Sequence, residues 1–141
     1  MITNFLNKYS DAGTLFLRIG IGFAFIFVHG WGKIFGGPEL WTKLGGSMAN
    51  LGITFAPTFW GFMAAAAEFG GGILILFGLF TRPAAAFMAF TMLVAFIQHT
   101  SKLDPWNRVI YPMEMFAVFM ALLFIGAGKY SIDALISKKK P

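Results

Sequence analysis

Few residues in this chain can move protons or hold a polar ligand, and they fall in groups. His29 and Lys33 share one apolar run, Gln98 and His99 end another, and Tyr111 and Glu114 open a third. An imidazole near a carboxyl group suits proton exchange, because histidine alone among unperturbed side chains changes charge between about pH 5 and 8. Arg18 and Glu68 lie inside apolar runs, where an ionised group is costly unless it pairs. Arg18, Gly22, Phe25, His29 and Lys33 sit at offsets of 0, 4, 7, 11 and 15. At helical periodicity these positions form one stripe about 80° wide, which should face a bundle interior. Glu68 shares its face with Gly61, Ala64, Ala65 and Gly72, small residues that let a neighbouring backbone approach. A buried Arg18–Glu68 ion pair between the first two helices is therefore expected, since a long guanidinium side chain can reach a carboxylate near mid-membrane.

The elements that must position these groups are membrane spans. Hydrophobic residues make up 57% of the 141 and charged residues 12%, and eighteen Phe with eight Met supply more apolar surface than so small a core could hide. Crossing the hydrocarbon takes roughly 20 apolar residues. Four such runs occur, at about 12–34, 58–80, 83–100 and 109–127, with Pro112 expected in the first turn of the last. The fold class expected is an all-α membrane protein, a four-transmembrane-helix bundle forming a single domain over residues 1–141. The first run lacks a small-residue cleavage site after it and is read as a permanent helix rather than a signal peptide. Between the first two spans, Leu40, Leu44, Met48 and Leu51 repeat on one helical face beside Trp41, with Pro38 suited to a first turn. A short interfacial helix over about 38–51 is expected in this first outer loop, lying as a lid.

Charge sets the orientation. Lys8, Arg82, Lys129, Lys138, Lys139 and Lys140 fall on one side of the spans and Lys33, Lys43, Lys102 and Arg108 on the other, six against four. The positive-inside rule then puts both termini in the cytoplasm. Trp31, Trp41, Trp60 and Trp106 all fall on the outer side, as half of an aromatic belt. The net charge of +5 is scattered rather than arranged in a basic stripe, which argues against nucleic acid. Cysteine is absent, so dithiol chemistry and thiolate-held iron–sulfur clusters are excluded for this chain's own side chains. Gly70-Gly71-Gly72 lies within an apolar span and is no phosphate cradle. Neither a haem nor a metal site is expected from two histidines without a supporting motif.

The order-preserving segments Leu17-Arg18-Ile19-Gly20, Phe27-Val28-His29-Gly30-Trp31-Gly32-Lys33, Glu68-Phe69-Gly70-Gly71 and Gly78-Leu79-Phe80-Thr81-Arg82-Pro83, then His99 and Gly126-Ala127-Gly128-Lys129-Tyr130-Ser131-Ile132-Asp133, carry a resemblance. Over nearly its whole length the chain resembles the DoxX family of small bacterial membrane proteins. The resemblance implies a four-helix membrane bundle and a link to quinone-dependent redox metabolism, because the family is similar to a subunit of thiosulfate:quinone oxidoreductase. The expectation is a quinone-binding subunit in which His29, His99 and Glu114 line a pocket, Lys33 and Gln98 are secondary contacts, and Trp41 forms part of the cover. A partner protein would supply electrons. The competing class is a membrane scaffold, or a homo-oligomeric transporter using Arg18 and Glu68 in a polar path.

Overall fold

The computed structural model describes residues 9–138, so Lys8, Lys139 and Lys140, which entered the orientation count, lie outside the described residues. Four helices are long and apolar enough to cross a membrane: α1 (Ser10–Ile34), α3 (Pro57–Phe77), α4 (Thr81–Ser101) and α5 (Trp106–Ile125). A shorter α2 (Gly37–Gly45) continues as a 3-10 turn (Gly46–Leu51) in the first loop, and α6 (Ile132–Lys138) closes the described chain. No strand occurs among the described residues. The protein is an all-α membrane bundle whose lipid-facing side chains include Phe16, Phe23, Phe87 and Phe124, all exposed.

Helix ends follow local chemistry. At the end of α3, Gly78 adopts φ +66°, with Leu79 N–H donating to Leu74 O and Gly78 N–H to Ile75 O. This pair of bonds is the left-handed stop that glycine favours, and it ends the helix before the expected Phe80. Pro83 falls in the third position of α4, where no N–H is needed. Pro112 corrects the sequence expectation: α5 starts at Trp106, so the proline lies inside the helix and not in its first turn. The earlier start arises because Pro105 supplies the turn, its carbonyl accepting from Arg108 N at 2.8 Å. α1 contains a wide π turn over Phe25–Gly30 that carries His29.

Small residues set the helix spacing. A Cβ on Gly22 would stand 2.9 Å from the Gly72 carbonyl oxygen and 2.8 Å from Leu76 Cβ, so α1 and α3 touch backbone to backbone there. A Cβ on Gly30 would stand 2.7 Å from Phe69 Cα. Deeper in the bundle Phe25, Ile75, Met88, Met92, Phe119 and Leu122 form the core. The Phe25 and Phe119 rings meet edge to face at 5.0 Å and so bridge α1 to α5.

The end of the bundle that carries the termini is closed by side chains acting on distant helix ends. Arg18, fully buried, donates Nη1–H to the Ile75 and Leu76 carbonyls at 3.4 Å and Nη2–H to the Tyr130 carbonyl. Ile75 and Leu76 lie in the last turn of α3, where carbonyls lose their i+4 partners, and Ile75 also accepts from Gly78 N–H. Asp133 does the converse, its carboxylate accepting from Phe80 N at 2.8 Å and Thr81 N at 3.0 Å where α4 begins. Asp11 accepts from Lys129 N at 3.0 Å. Arg18→Leu is expected to cost about 3 kcal/mol, because it strands buried carbonyls that accept from a cation. Arg18→Lys should recover only part, having no planar fork. Thermal unfolding of detergent-purified variants measures both, and a Leu variant as stable as the parent would remove this clamp from the fold.

Candidate functional site

A cavity of about 610 Å3 opens between α3 and α4 beneath the α2 segment. Its roof exists because glycines allow α2 to lie directly on α3. A Cβ on Gly45 would stand 2.6 Å from Gly61 N, and one on Gly61 would strike the Trp41 backbone. Three further ties fasten the roof. Trp41 Nε1–H donates to the Lys33 carbonyl at 2.8 Å, Thr42 and Thr58 hydroxyls bond at 2.6 Å, and Asn50 Nδ2–H donates to Gln98 Oε1 across to α4.

The cavity is polar at one end and apolar at the other. Lys33, Glu68, Gln98 and His99 line it near the roof, with Lys43 and Lys102 beside them. Leu74, Ala84, Phe87 and Phe90 line the far end, while Leu40, Leu44, Met48 and Met63 add apolar surface at the roof. Phe87 and Phe90 are also exposed on the outside of the bundle, so the far end opens sideways toward lipid. Trp60 contributes an indole whose Nε1 is buried without a hydrogen-bond partner. With its oxygen occupied by Asn50, Gln98 has its amide hydrogens available for a ligand.

Glu68 is not paired with Arg18. Lys33 Nζ donates to both Glu68 oxygens, at 2.7 and 2.6 Å, and the carboxylate is buried. The expected Arg18–Glu68 pair is thus corrected: Arg18 is consumed by the α3 carbonyls one end away. Lys33, placed at the last turn of α1 where Gly30 brings that helix onto Phe69, is the cation whose reach matches the carboxylate. The two groups fit the same rule that buried charges need partners, with a different cation chosen by packing.

The other expected site residues separate into two faces. Lys33, Gln98 and His99 border the cavity, whereas His29 does not. His29 Nε2 bonds Tyr111 Oη at 2.9 Å, the rings stacked at 5.1 Å, on the α1–α5 side. Trp41 does not border the cavity either; it holds the roof from behind, its ring against Phe62 at 5.0 Å. Glu114 is exposed on the outside of α5, with no ion pair or hydrogen bond among the described residues, and lies outside the cavity. The contact of Tyr111 with His29 fixes which face of α5 turns inward, and Glu114 lies off that face. A group that the sequence reading missed is Asp104, which bonds His99 Nδ1 at 2.6 Å. The His99 hydrogen bond first, with Arg108 and Lys102 nearby, holds the Asp104 carboxyl below the ordinary range. Its spacing of five residues from His99, just before Pro105, was the available signal.

The family model for DoxX matches residues 13–100, which carries α1 through most of α4 and with them Arg18, Lys33, Glu68 and His99. The chain belongs to the DoxX family. Among DoxX-like relatives, it is 36% identical over 137 residues to the inner membrane protein YqjF of Escherichia coli (strain K12), covering 95% of this chain and 99% of that protein. It is 31% identical over 135 residues to the Bacillus subtilis (strain 168) protein CatD, provisionally named an oxidoreductase, covering 96% of this chain and 95% of that one. No solved structure matches it. The DoxX assignment agrees with the four apolar helices and establishes a multi-pass membrane protein.

Removing Lys33 should cost on the order of 3–5 kcal/mol by leaving the buried Glu68 carboxylate unpaired, removing Glu68 should cost less because Lys33 is partly exposed, and replacing both with Met should cost less than removing Lys33 alone. A double-mutant cycle on Lys33 and Glu68 is expected to show strong coupling, and one on Arg18 and Glu68 near additivity. Additive losses for Lys33 and Glu68 would mean that the pair contributes nothing.

Proposed function

We propose that this DoxX-family chain is a quinone-binding membrane subunit whose cavity between α3 and α4 takes the quinone head group at its polar end. The observation that carries this reading is the cavity's one-ended polarity: donors gathered beneath the roof, and an apolar remainder open to the lipid side. An isoprenoid quinone has the same division into a carbonyl-bearing ring and a hydrocarbon tail. The residues fit such a head group. Trp60 Nε1–H is a buried donor with no acceptor, and an unmade buried hydrogen bond costs about 1–3 kcal/mol, which a ligand carbonyl would recover. Gln98 on the cavity wall offers amide hydrogens, and His99 offers an imidazole able to hold or release a proton.

When bound, a quinone supplies two-electron, two-proton redox chemistry, and the protein supplies its position and the protons. The Trp41, Thr42 and Asn50 ties hold the roof over the polar end. The Lys33–Glu68 pair fixes a charged wall without leaving net charge. The chain has no cysteine, so a redox partner protein delivers electrons in this reading. The relative provisionally named an oxidoreductase supports the reaction class, and the relative named an inner membrane protein supports a bacterial inner membrane location. A transporter path through Arg18 and Glu68 receives less support, since these groups belong to separate hydrogen-bond sets.

Lipid extraction and mass spectrometry of the purified protein is expected to recover a quinone at near one per chain. Trp60→Phe with His99→Phe should reduce retention at least tenfold, about 1.4 kcal/mol, while leaving unfolding unchanged. No quinone in the parent, together with no quenching of its tryptophan fluorescence by added short-chain quinone, would overturn the reading.

The proposed orientation puts the α2 roof at the outer interface and both termini in the cytoplasm, since basic residues resist translocation. A cysteine replacing Lys43 should react with an impermeant thiol reagent in intact cells, and one replacing Arg82 only after permeabilisation. The reverse pattern would invert the topology.

A further inference from the structure

The turn after α4 is built around His99. Leu103 adopts φ +54°, uncommon for a residue with a side chain, and is 90% exposed, so no packing of that side chain offsets the strain. What the turn achieves is a return of the chain: Asp104 N–H donates to the His99 carbonyl and Leu103 N–H to the Thr100 carbonyl, each at 3.1 Å. The same turn brings the Asp104 carboxylate against His99 Nδ1 at 2.6 Å. A carboxylate can only accept there, so Nδ1 carries the proton, and in the neutral ring Nε2 is left as an acceptor. Among the described residues Nε2 has no hydrogen-bond partner, and His99 borders the cavity.

We infer that His99 is a proton acceptor oriented by Asp104, and that the cavity therefore prefers its ligand in the reduced, hydroxyl-bearing quinol form. This rests on the quinone reading of the cavity and adds to it the redox form held and a positioning residue. In the step assigned, the quinol O–H bond breaks and an N–H bond forms at His99 Nε2. The electron pair stays on the oxygen, giving a quinolate and an imidazolium, with no electron transferred and no further reactant required. Asp104, ionised through the neutral range, balances the imidazolium. Lys102 just past the end of α4 and Lys43 on α2, which line the cavity and have no ion pair among the described residues, balance the quinolate. The remaining charges nearby are Arg108 at the start of α5, which acts on Asp104, and the mutually neutralised Lys33 and Glu68.

The test titrates the detergent-purified full chain near neutral pH with a short-chain benzoquinol and, separately, with its oxidised quinone. The parent is expected to bind the quinol about tenfold more tightly than the quinone. Asp104→Asn, which keeps a hydrogen-bond acceptor but removes the charge, should bring the two affinities within about twofold. Asp104→Glu should keep the preference. Quinone binding by the Asn variant is the control for an intact cavity. Equal affinity for both forms in the parent, or an Asn variant with the parent's preference, overturns the inference while leaving the quinone site standing. Binding of neither form by the parent overturns both.

Discussion

The constraint on which the rest of this structure depends is that a polar group inside hydrocarbon must find its partner within the protein. Arg18 shows how far that requirement reaches. It is buried on α1, and its donors are spread over the last carbonyls of α3 and the backbone before α6, so one side chain ties three parts of the chain. Asp133 reciprocates by holding the free N–H groups at the start of α4. The α3–α4 turn is thereby held by opposite charges, a cation on the carbonyl end and an anion on the amide end, as the helix dipoles favour.

At the other end of the bundle the same constraint produces a cavity instead of a seal. Glycines at positions 45 and 61 let α2 lie against α3, so the roof is fixed by backbone contact and does not need bulky side chains. The space beneath it is left unfilled because α3 presents Ala64, Ala67, Gly70 and Gly71 toward α4. Polar groups gather at this level from α1, α3 and α4 and satisfy one another in pairs, Lys33 with Glu68 and His99 with Asp104. Among the described residues, the groups left without a partner there include the Trp60 indole hydrogen and one nitrogen of His99.

The division of polar groups into two faces gives the bundle a chemical asymmetry. His29 and Tyr111 stack on the α1–α5 side, while Gln98 and His99 face the α3–α4 cavity. The Lys33–Glu68 pair lies within electrostatic reach of both sets, since Lys33 acts on His29 and Glu68 on Tyr111. The π turn that carries His29 widens α1 at this level, and a wide turn of that kind recurs at functional positions in helices.

Composition and run length by themselves determined that this is a membrane bundle, because only helices roughly 20 residues long satisfy a backbone in hydrocarbon and four such runs are plain in the sequence. They also marked Arg18, Lys33, Glu68 and His99 as the groups needing an explanation, since charge in an apolar run is costly wherever it points. Partner choice was not legible. Arg18 and Lys33 lie on one stripe of α1, and which of them meets Glu68 depends on the depth at which Gly22 and Gly30 seat α1 on α3, a packing distance that periodicity does not encode. The outward position of Glu114 was likewise not legible, because which face of α5 turns inward is set by the packing of Tyr111 on His29 and not by the apolar run. Asp104 was hidden for a third reason: its contact with His99 needs a left-handed residue at Leu103, a conformation that side chains disfavour and that only the assembled turn imposes.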